Sequence, residues 1–292
     1  MNESNINKQS SLGSEYNRKY YHAETGEYVY RHPHPAVTAD CVIFGFDGER
    51  LKVLLIERGL EPYKGMWALP GGFMKVADPD GGDFDLSIEE TARRELREET
   101  NLKNVYLEQF KVYSDADRDP RERVVTVAFI ALIRPEDYEL LAGDDAANAM
   151  WWNFSALPPI AFDHDRIIRD AKAYLEEMLR IKPLAFKLLN DVFSMSELQK
   201  VYEAITGISY DRRNFQRKAM QSGIIREAEV SSRQYSECSF DNDVASLSEE
   251  ERPRSSERKI SPRSRKKFFS FNREKDKNED EEEGSIKDLF NF

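Results

Sequence analysis

Cysteine is nearly absent: Cys41 and Cys238 are the only two in 292 residues. One sits inside an apolar run and the other in a polar stretch, so neither a disulfide framework nor a zinc-spaced cluster is available, and a reduced compartment is expected. Long apolar runs are missing too. No segment approaches the roughly 18 apolar residues that a membrane-spanning helix needs, and residues 1–15 lack the apolar stretch of a secretion signal. The expected location is the cytoplasm, with no membrane partner. Positive charge is in deficit, 43 Lys and Arg against 54 Asp and Glu for a net charge of −11, which at first sight argues against a nucleic-acid partner. The average hides blocks, however: residues 252–275 are densely basic and 279–283 almost purely acidic, so local sign has to decide. Apolar residues also thin out after Ala228, leaving a composition too polar to offset the entropy of ordering, and that part is expected to be largely disordered.

What remains supports two cores. The hydrophobic fraction is 40%, enough for one good core and a smaller second one. Residues 37–46 alternate β-branched and aromatic side chains, Asp47-Gly48 supplies a turn, and residues 51–57 resume as a second strand, a hairpin pattern. Pro70-Gly71-Gly72 breaks the chain, and after a polar loop over 77–85 a helix starts at Ser87, where Ser87 and Glu90 have capping-box spacing. Residues 106–113, 124–134 and 149–154 read as further strands, so strands surround one helix in an α+β pattern. Beyond Pro158-Pro159 the period becomes helical: Ile167, Ile168, Ala171, Tyr174, Leu175, Met178 and Leu179 follow a cap at Asp163. A second capping box, Ser194 with Glu197, opens a helix that stops at Gly207, and a third runs from Asp211 to near Gly223. Three helices leading into Ile224-Ile225-Arg226 suggest a small helix-turn-helix module.

Chemistry concentrates on the helix that begins at Ser87. At about 100° per residue, Ile88, Ala92 and Leu96 form its buried stripe, Glu95 and Glu99 fall on or beside that stripe, and Arg93, Arg94 and Arg97 take the other side. A carboxylate aimed at a core costs several kcal/mol unless it is paired or holds a cation. Glu95, Glu98 and Glu99, spaced three and four apart, are candidate oxygen ligands for a hard divalent ion. The competing reading is an exposed helix laced by Glu90–Arg94 and Arg94–Glu98 pairs. An acidic calcium loop at Asp78, Asp80 and Asp83 lacks EF-hand spacing and reads better as a solvated turn.

Gly72 followed by Arg94-Glu95-Leu96-Arg97-Glu98-Glu99, with Trp67-Ala68-Leu69-Pro70-Gly71-Gly72-Phe73 before it, resembles the Nudix box. The resemblance implies a Nudix α/β/α sandwich with a mixed sheet, and glutamates that carry Mg²⁺ or Mn²⁺ on a diphosphate. Glu95 and Glu98 then stand as catalytic candidates, Glu95, Glu98 and Glu99 as metal ligands, and Arg58, Gly71 and Gly72 as ligand-binding residues. Two departures matter: Leu86 stands where the family has a glutamate, eight residues before the box arginine, and Asn101 replaces a glycine. Asp83 or Asp85 could substitute for the lost carboxylate. Arg118-Asp119-Pro120-Arg121 resembles the loop of Nudix domains that bind ADP-ribose-like ligands, which adds Arg118 and Arg121 as phosphate clamps; a plain polar turn around Pro120 is the alternative.

In the third helix of the C-terminal module, Phe215 and Ala219 mark the buried side and leave Arg213, Asn214, Arg217 and Gln221 exposed, a face suited to phosphates and base edges in a major groove. Ala161-Phe162-Asp163-His164, Pro183-Leu184-Ala185-Phe186 and Arg213-Asn214-Phe215-Gln216-Arg217-Lys218 resemble the winged-helix half of the Nudix-related transcriptional regulators of the NrtR group. The wing's return strand is inferred at 264–272, with Arg265, Lys266 and Lys267 before its aromatic residues. The expected organisation is an N-terminal extension (1–36), a Nudix domain (37–160), a winged-helix domain (161–229), a low-complexity insert (230–263), the return strand (264–272) and an acidic disordered tail (273–292). The favoured reading is a homodimeric regulator that binds operator DNA and senses an ADP-ribose-like or sugar metabolite. A Mg²⁺-dependent hydrolase of a nucleoside diphosphate derivative is the alternative. Leu86 tips the choice, since it weakens the catalytic box while nothing comparable damages the third helix.

Overall fold

The computed structural model describes residues 21–22, 27–28, 32–76, 84–140, 146–228 and 267–272. The described residues of Met1–Gly45 and Lys52–Lys172 make one compact unit, and those of Phe46–Leu51 and Ala173–Phe292 a second. Ahead of the first core, β1 (Tyr21–His22) and β2 (Glu27–Tyr28) pair as a small antiparallel ladder.

The first unit is built on a mixed seven-stranded sheet. Its centre is β3 (Ala36–Phe46), which is buried on both faces from Thr38 onward, the polar Thr38 and Asp40 included. One neighbour is β4 (Leu51–Arg58), reached through a turn in which the Asp47 carboxylate accepts from the Glu49 and Arg50 backbone N–H groups. β5 (Trp67–Ala68) pairs with β4, and β6 (Gly71–Phe73) runs antiparallel to β3 with Ala39 opposite Gly72. The other neighbour of β3 is the parallel strand β8 (Val124–Leu132), flanked at the sheet edge by β7 (Glu108–Tyr113). β9 (Ala146–Asn153) pairs with β4.

Helix α1 (Ile88–Thr100) lies on this sheet through Ala92 and Leu96, which join Cys41, Ile43, Leu54 and Phe129 in the main core. Each large buried aliphatic or aromatic side chain there contributes about 1.5–3 kcal/mol relative to exposure. The start of α1 differs in one detail from capping-box spacing. Ser87 accepts from the Glu90 N–H at 3.2 Å, but the Glu90 carboxylate takes the N–H of Leu86 at 2.8 Å, one residue earlier than the motif implies. Its end is a left-handed Asn101 with φ 61°, a conformation that Asn tolerates well.

Helix α2 (His164–Met178) contains the point where one unit gives way to the next. In the second unit, β10 (Val192–Ser194) leads into α3 (Met195–Thr206), which opens with a full capping box of Ser194 and Glu197 and stops at a left-handed Gly207. Helix α4 (Arg212–Gln221) starts at an Asp211 cap that accepts from the Asn214 N–H at 2.9 Å. Its Phe215 packs beside Tyr202 and Tyr210. β11 (Ile225–Glu227) and β10 both pair antiparallel with β12 (Phe268–Phe271), the central strand of three, with Arg226 opposite Ser270. Phe271 stacks on Phe186 at 4.6 Å, and Ile224 packs against both. Phe271 of β12 thereby completes an apolar cluster with Phe186 and Ile224, while Phe268 and Phe269 are themselves buried. The expected insert at 230–263 and the tail from 273 lie outside the described residues. Among those described, no helix is long and apolar enough to cross a membrane.

Candidate ligand site and candidate nucleic-acid interface

The glycine loop and α1 meet because Gly71 and Gly72 have no side chains. A Cβ on Gly71 would run into the Ala39 carbonyl and Asp40, and one on Gly72 into the Glu95 carboxylate. This close approach lets Glu99 accept the Gly71 N–H at 2.8 Å. Burial pushes the Glu99 carboxyl up to about 8, with the charges of Glu95 and Asp40 adding to the effect. Glu95 is raised as well, again by burial first, although Arg94 opposes it.

Arg94 is the hub of the glutamate cluster. Its guanidinium donates to both oxygens of Asp85 (2.9 and 2.8 Å), to the Phe73 carbonyl (3.0 Å), to Glu95 (2.6 Å) and to Glu98 (3.0 Å). Asp85 also accepts from the Lys75 N–H and the Thr91 hydroxyl. The two-pronged bond from Arg94 holds its carboxyl at about 2, well below the usual range. Leu86 beside it is 56% exposed and touches none of this. The box arginine therefore has its carboxylate partner one residue before the position that the motif names.

Of the five expected ligand-binding residues, four line one region and the fifth does something else. Arg121 is held by Asp119 (3.0 and 2.7 Å) and lies over Phe73 at 4.8 Å and Phe162 at 5.5 Å. Arg58 lies over the same Phe162 ring at 4.8 Å, with its Nε on the Pro62 carbonyl. Burial lowers the Arg58 pKa, and the like charge of Arg121 lowers it further. Gly71 and Gly72 form the adjoining loop. Arg118 departs from the expectation of a phosphate clamp: its side chain is 4% exposed, donates to both oxygens of Asp163 (3.2 and 2.8 Å) and to Thr126, and lies 3.7 Å from Asp40. A guanidinium enclosed by two carboxylates and a hydroxyl braces the fold instead of reaching for a ligand. The Asp163 carboxylate, expected as a helix cap, is bound to this arginine.

Sequence reasoning missed Phe73, Phe162, Asp40 and His164 as neighbours of the site. The Ala161-Phe162-Asp163-His164 run was visible, yet spacing alone does not show that it folds back against the glycine loop. As to a metal ion, no group of three or more His, Cys, Asp or Glu among the described residues forms a ready cage. The donor chemistry nevertheless fits a hard cation: Glu95 and Glu99 are carboxyls whose burial holds their pKa values up, beside the more exposed Glu98, so an oxygen-loving cation would offset the cost of their charge.

In the second unit, α4 buries Phe215 and Ala219 and exposes Arg213, Arg217 and Gln221, with Asn214 half-buried and bonded to Arg217. Lys267 is exposed and paired with Glu227 across the β11–β12 ladder, where Arg226 also stands exposed. Arg265 and Lys266 lie outside the described residues.

Comparison with known proteins fits both halves. Residues 34–171 match the NUDIX domain family, and residues 185–237 match the NrtR DNA-binding winged helix domain. An ADPR responsive transcriptional repressor, NtrR, of Acinetobacter baylyi is 35% identical over 202 residues, covering 68% of this chain and 78% of that protein. The chain belongs to the NrtR group of Nudix-domain transcriptional regulators. An ADP-ribose pyrophosphatase of Methanocaldococcus jannaschii is 41% identical over 137 residues, 47% of this chain and 73% of that enzyme. The crystal structure of Shewanella oneidensis NrtR complexed with a 27mer DNA superposes with a TM-score of 0.54 at 29% identity, covering 68% of this chain and 90% of that one. Membership of the NrtR group thus rests on the two domains together, the Nudix half being shared with hydrolases.

Proposed function

We propose that this NrtR-group regulator is a transcriptional repressor whose Nudix domain binds ADP-ribose and whose winged helix binds operator DNA as a cytoplasmic homodimer. The observation that carries this reading is the pairing, in one chain, of an exposed Arg213–Arg217 face on α4 with a glycine-loop site flanked by Arg58 and Arg121. The arginines supply the positive charge that a diphosphate needs, the Gly71–Phe73 strand lets backbone approach it, and Phe162 offers an aromatic face. The names of the Acinetobacter and Methanocaldococcus relatives point to ADP-ribose as the ligand. On α4, Arg213 and Arg217 are one turn apart and suit a major groove, while Lys267 suits a phosphate.

A divalent ion, Mg²⁺ or Mn²⁺, would be held by Glu95, Glu98 and Glu99 together with diphosphate oxygens. When bound, such an ion neutralises diphosphate charge and lowers the pKa of a coordinated water. The chain's own residues do the rest. Arg94 orients Glu95 and Glu98, Asp85 fixes Arg94, and Glu99 holds the glycine loop by its Gly71 N–H.

The Asp85–Arg94 pair also favours a second activity. Because the box arginine keeps a carboxylate partner, Leu86 is no ground for discounting hydrolysis, and slow cleavage of ADP-ribose, with Glu95 or Glu98 as base, is compatible with sensing. A calorimetric screen of ADP-ribose, ADP and ribose 5-phosphate with and without Mg²⁺, followed by chromatography for AMP, tests both. Tight ADP-ribose binding with turnover well under about 1 s⁻¹ supports a sensor. Faster turnover moves the assignment toward the hydrolase, and no binding of ADP-ribose removes the effector assignment.

A further inference from the structure

Residues 160–164 make more contacts with the ligand site than a connection between elements needs. Ile160 bridges to Trp67, and the Ala161 N–H donates to the Trp67 carbonyl at 2.8 Å, so the segment extends the sheet beside β5. Phe162 sits at φ 56°, in the left-handed region that an aromatic residue rarely adopts, and its ring is held by Arg58, Arg121 and an edge-on Tyr63 at 4.8 Å. Asp163 takes both prongs of Arg118.

His164, the first residue of α2, makes the contact with the clearest consequence. Its Nδ1 accepts the Leu69 N–H at 3.0 Å in a buried setting. An accepting Nδ1 places the ring proton on Nε2, which faces Asp40 Oδ1 at 3.7 Å, and burial favours the neutral ring. Leu69 begins the turn that presents Gly71 and Gly72. Three bonds thus fix that turn: Leu69 N–H to His164, the Pro70 carbonyl to the Cys41 N–H at 2.8 Å, and Gly71 N–H to Glu99. The first two residues of the turn have no side chain able to hold it, so its position depends on these acceptors and donors.

We propose that His164 is a positioning residue of the ligand site, setting the Leu69 end of the glycine loop by tying it to the first turn of α2. The proposal rests on the ADP-ribose reading for its ligand, and on the structure alone for the Leu69 bond.

Three substitutions separate positioning from bulk. His164→Asn puts an acceptor oxygen where Nδ1 stands, His164→Gln puts it one bond further out, and His164→Leu fills the space with no acceptor. Hydrogen exchange of the 69–72 amides, ADP-ribose affinity, effector-free retention of duplex DNA and thermal unfolding would be measured on the full chain. Loss of one buried acceptor should weaken ADP-ribose about tenfold in the Gln and Leu variants and speed exchange at Leu69. The Asn variant should restore both, with effector-free DNA retention within about twofold throughout. Wild-type affinity in His164→Leu, or equal behaviour of Asn and Gln, overturns the proposal. So does a parallel fall in effector affinity, DNA retention and melting temperature, which marks a merely structural residue. If His164→Leu does not fold, the Asn and Gln contrast decides. If wild type itself fails to bind ADP-ribose, the effector assignment falls, and exchange at Leu69 still judges the positioning claim.

Discussion

Replacing Asp85 by Asn tests the most specific structural departure from the motif, the carboxylate that serves Arg94 from beside Leu86. Asp85 and Arg94 are 6% and 11% exposed, so their bond is shielded from solvent. Asn mimics the protonated acid: it keeps one acceptor and loses the charge. A carboxyl held at about 2 instead of 3.8 stores roughly 2.5 kcal/mol of folded-state preference for the charged form. The variant should lose about that much stability, or about 10 °C in melting temperature for a unit of this size. All three tryptophans of the chain, Trp67, Trp151 and Trp152, belong to the first unit, so intrinsic fluorescence follows its unfolding selectively. The pH dependence has a definite sign. The folded-state pKa is depressed, so the stabilisation is fully present above about pH 5 and disappears as pH falls from about 4 to about 2. The gap between wild type and variant should therefore be flat down to about pH 5 and close below it. A variant within about 2 °C of wild type at pH 7, or a gap that widens on acidification, refutes the assignment of Asp85 as the arginine's partner.

Leu86→Glu should change ADP-ribose turnover by no more than about twofold, as for an ordinary surface substitution, because Leu86 is exposed and Arg94 is already paired; a large gain in a turnover assay would show the box to be incomplete. Glu99→Gln should keep the fold, by circular dichroism, and remove the Mg²⁺ dependence of ADP-ribose binding, whereas an unchanged dependence in calorimetry takes Glu99 out of the metal set. Arg213→Ala or Arg217→Ala should each weaken binding to the specific duplex by about 1–3 kcal/mol and relax base preference. Lys267→Ala should instead weaken all duplexes alike and lower the salt slope by about one unit; an unchanged slope would mean that Lys267 stays with Glu227 and takes no phosphate.

Much of the fold was legible because the signals were local. Ser194 with Glu197, Gly207 and the Asp211 cap bounded α3 and α4, and the stripe of Ala92 and Leu96 identified the face of α1 that meets the sheet. The inward lean of Glu95 and Glu99 was readable from the same wheel, which however put Arg94 on the opposite side; its long side chain instead reaches back to Asp85, Glu95 and Glu98 and is nearly buried among them. What escaped reading was long-range. Arg118 and Arg121 look alike in sequence, and only tertiary placement encloses one between Asp163, Asp40 and Thr126 while leaving the other over Phe73 and Phe162. Asp85 was one of two carboxylates that the sequence offered in place of the glutamate missing at Leu86, and spacing alone did not choose it over Asp83; in the fold it is Asp85 that reaches Arg94. His164 carried a family resemblance in its run of four residues, but its bond to Leu69 spans 95 positions and has no local signature.

If the protein is the repressor proposed above, ADP-ribose controls its binding to DNA. Fluorescence anisotropy of a labelled duplex from the protein's own upstream region, titrated with the full chain at several salt concentrations with and without ADP-ribose and Mg²⁺, tests it most directly. Retention below micromolar protein at low salt is expected, with a shift of at least about fivefold in affinity on adding ADP-ribose, the lower end of ordinary allosteric coupling. Retention that is identical with and without ADP-ribose, or no retention of any duplex at micromolar protein, would contradict it.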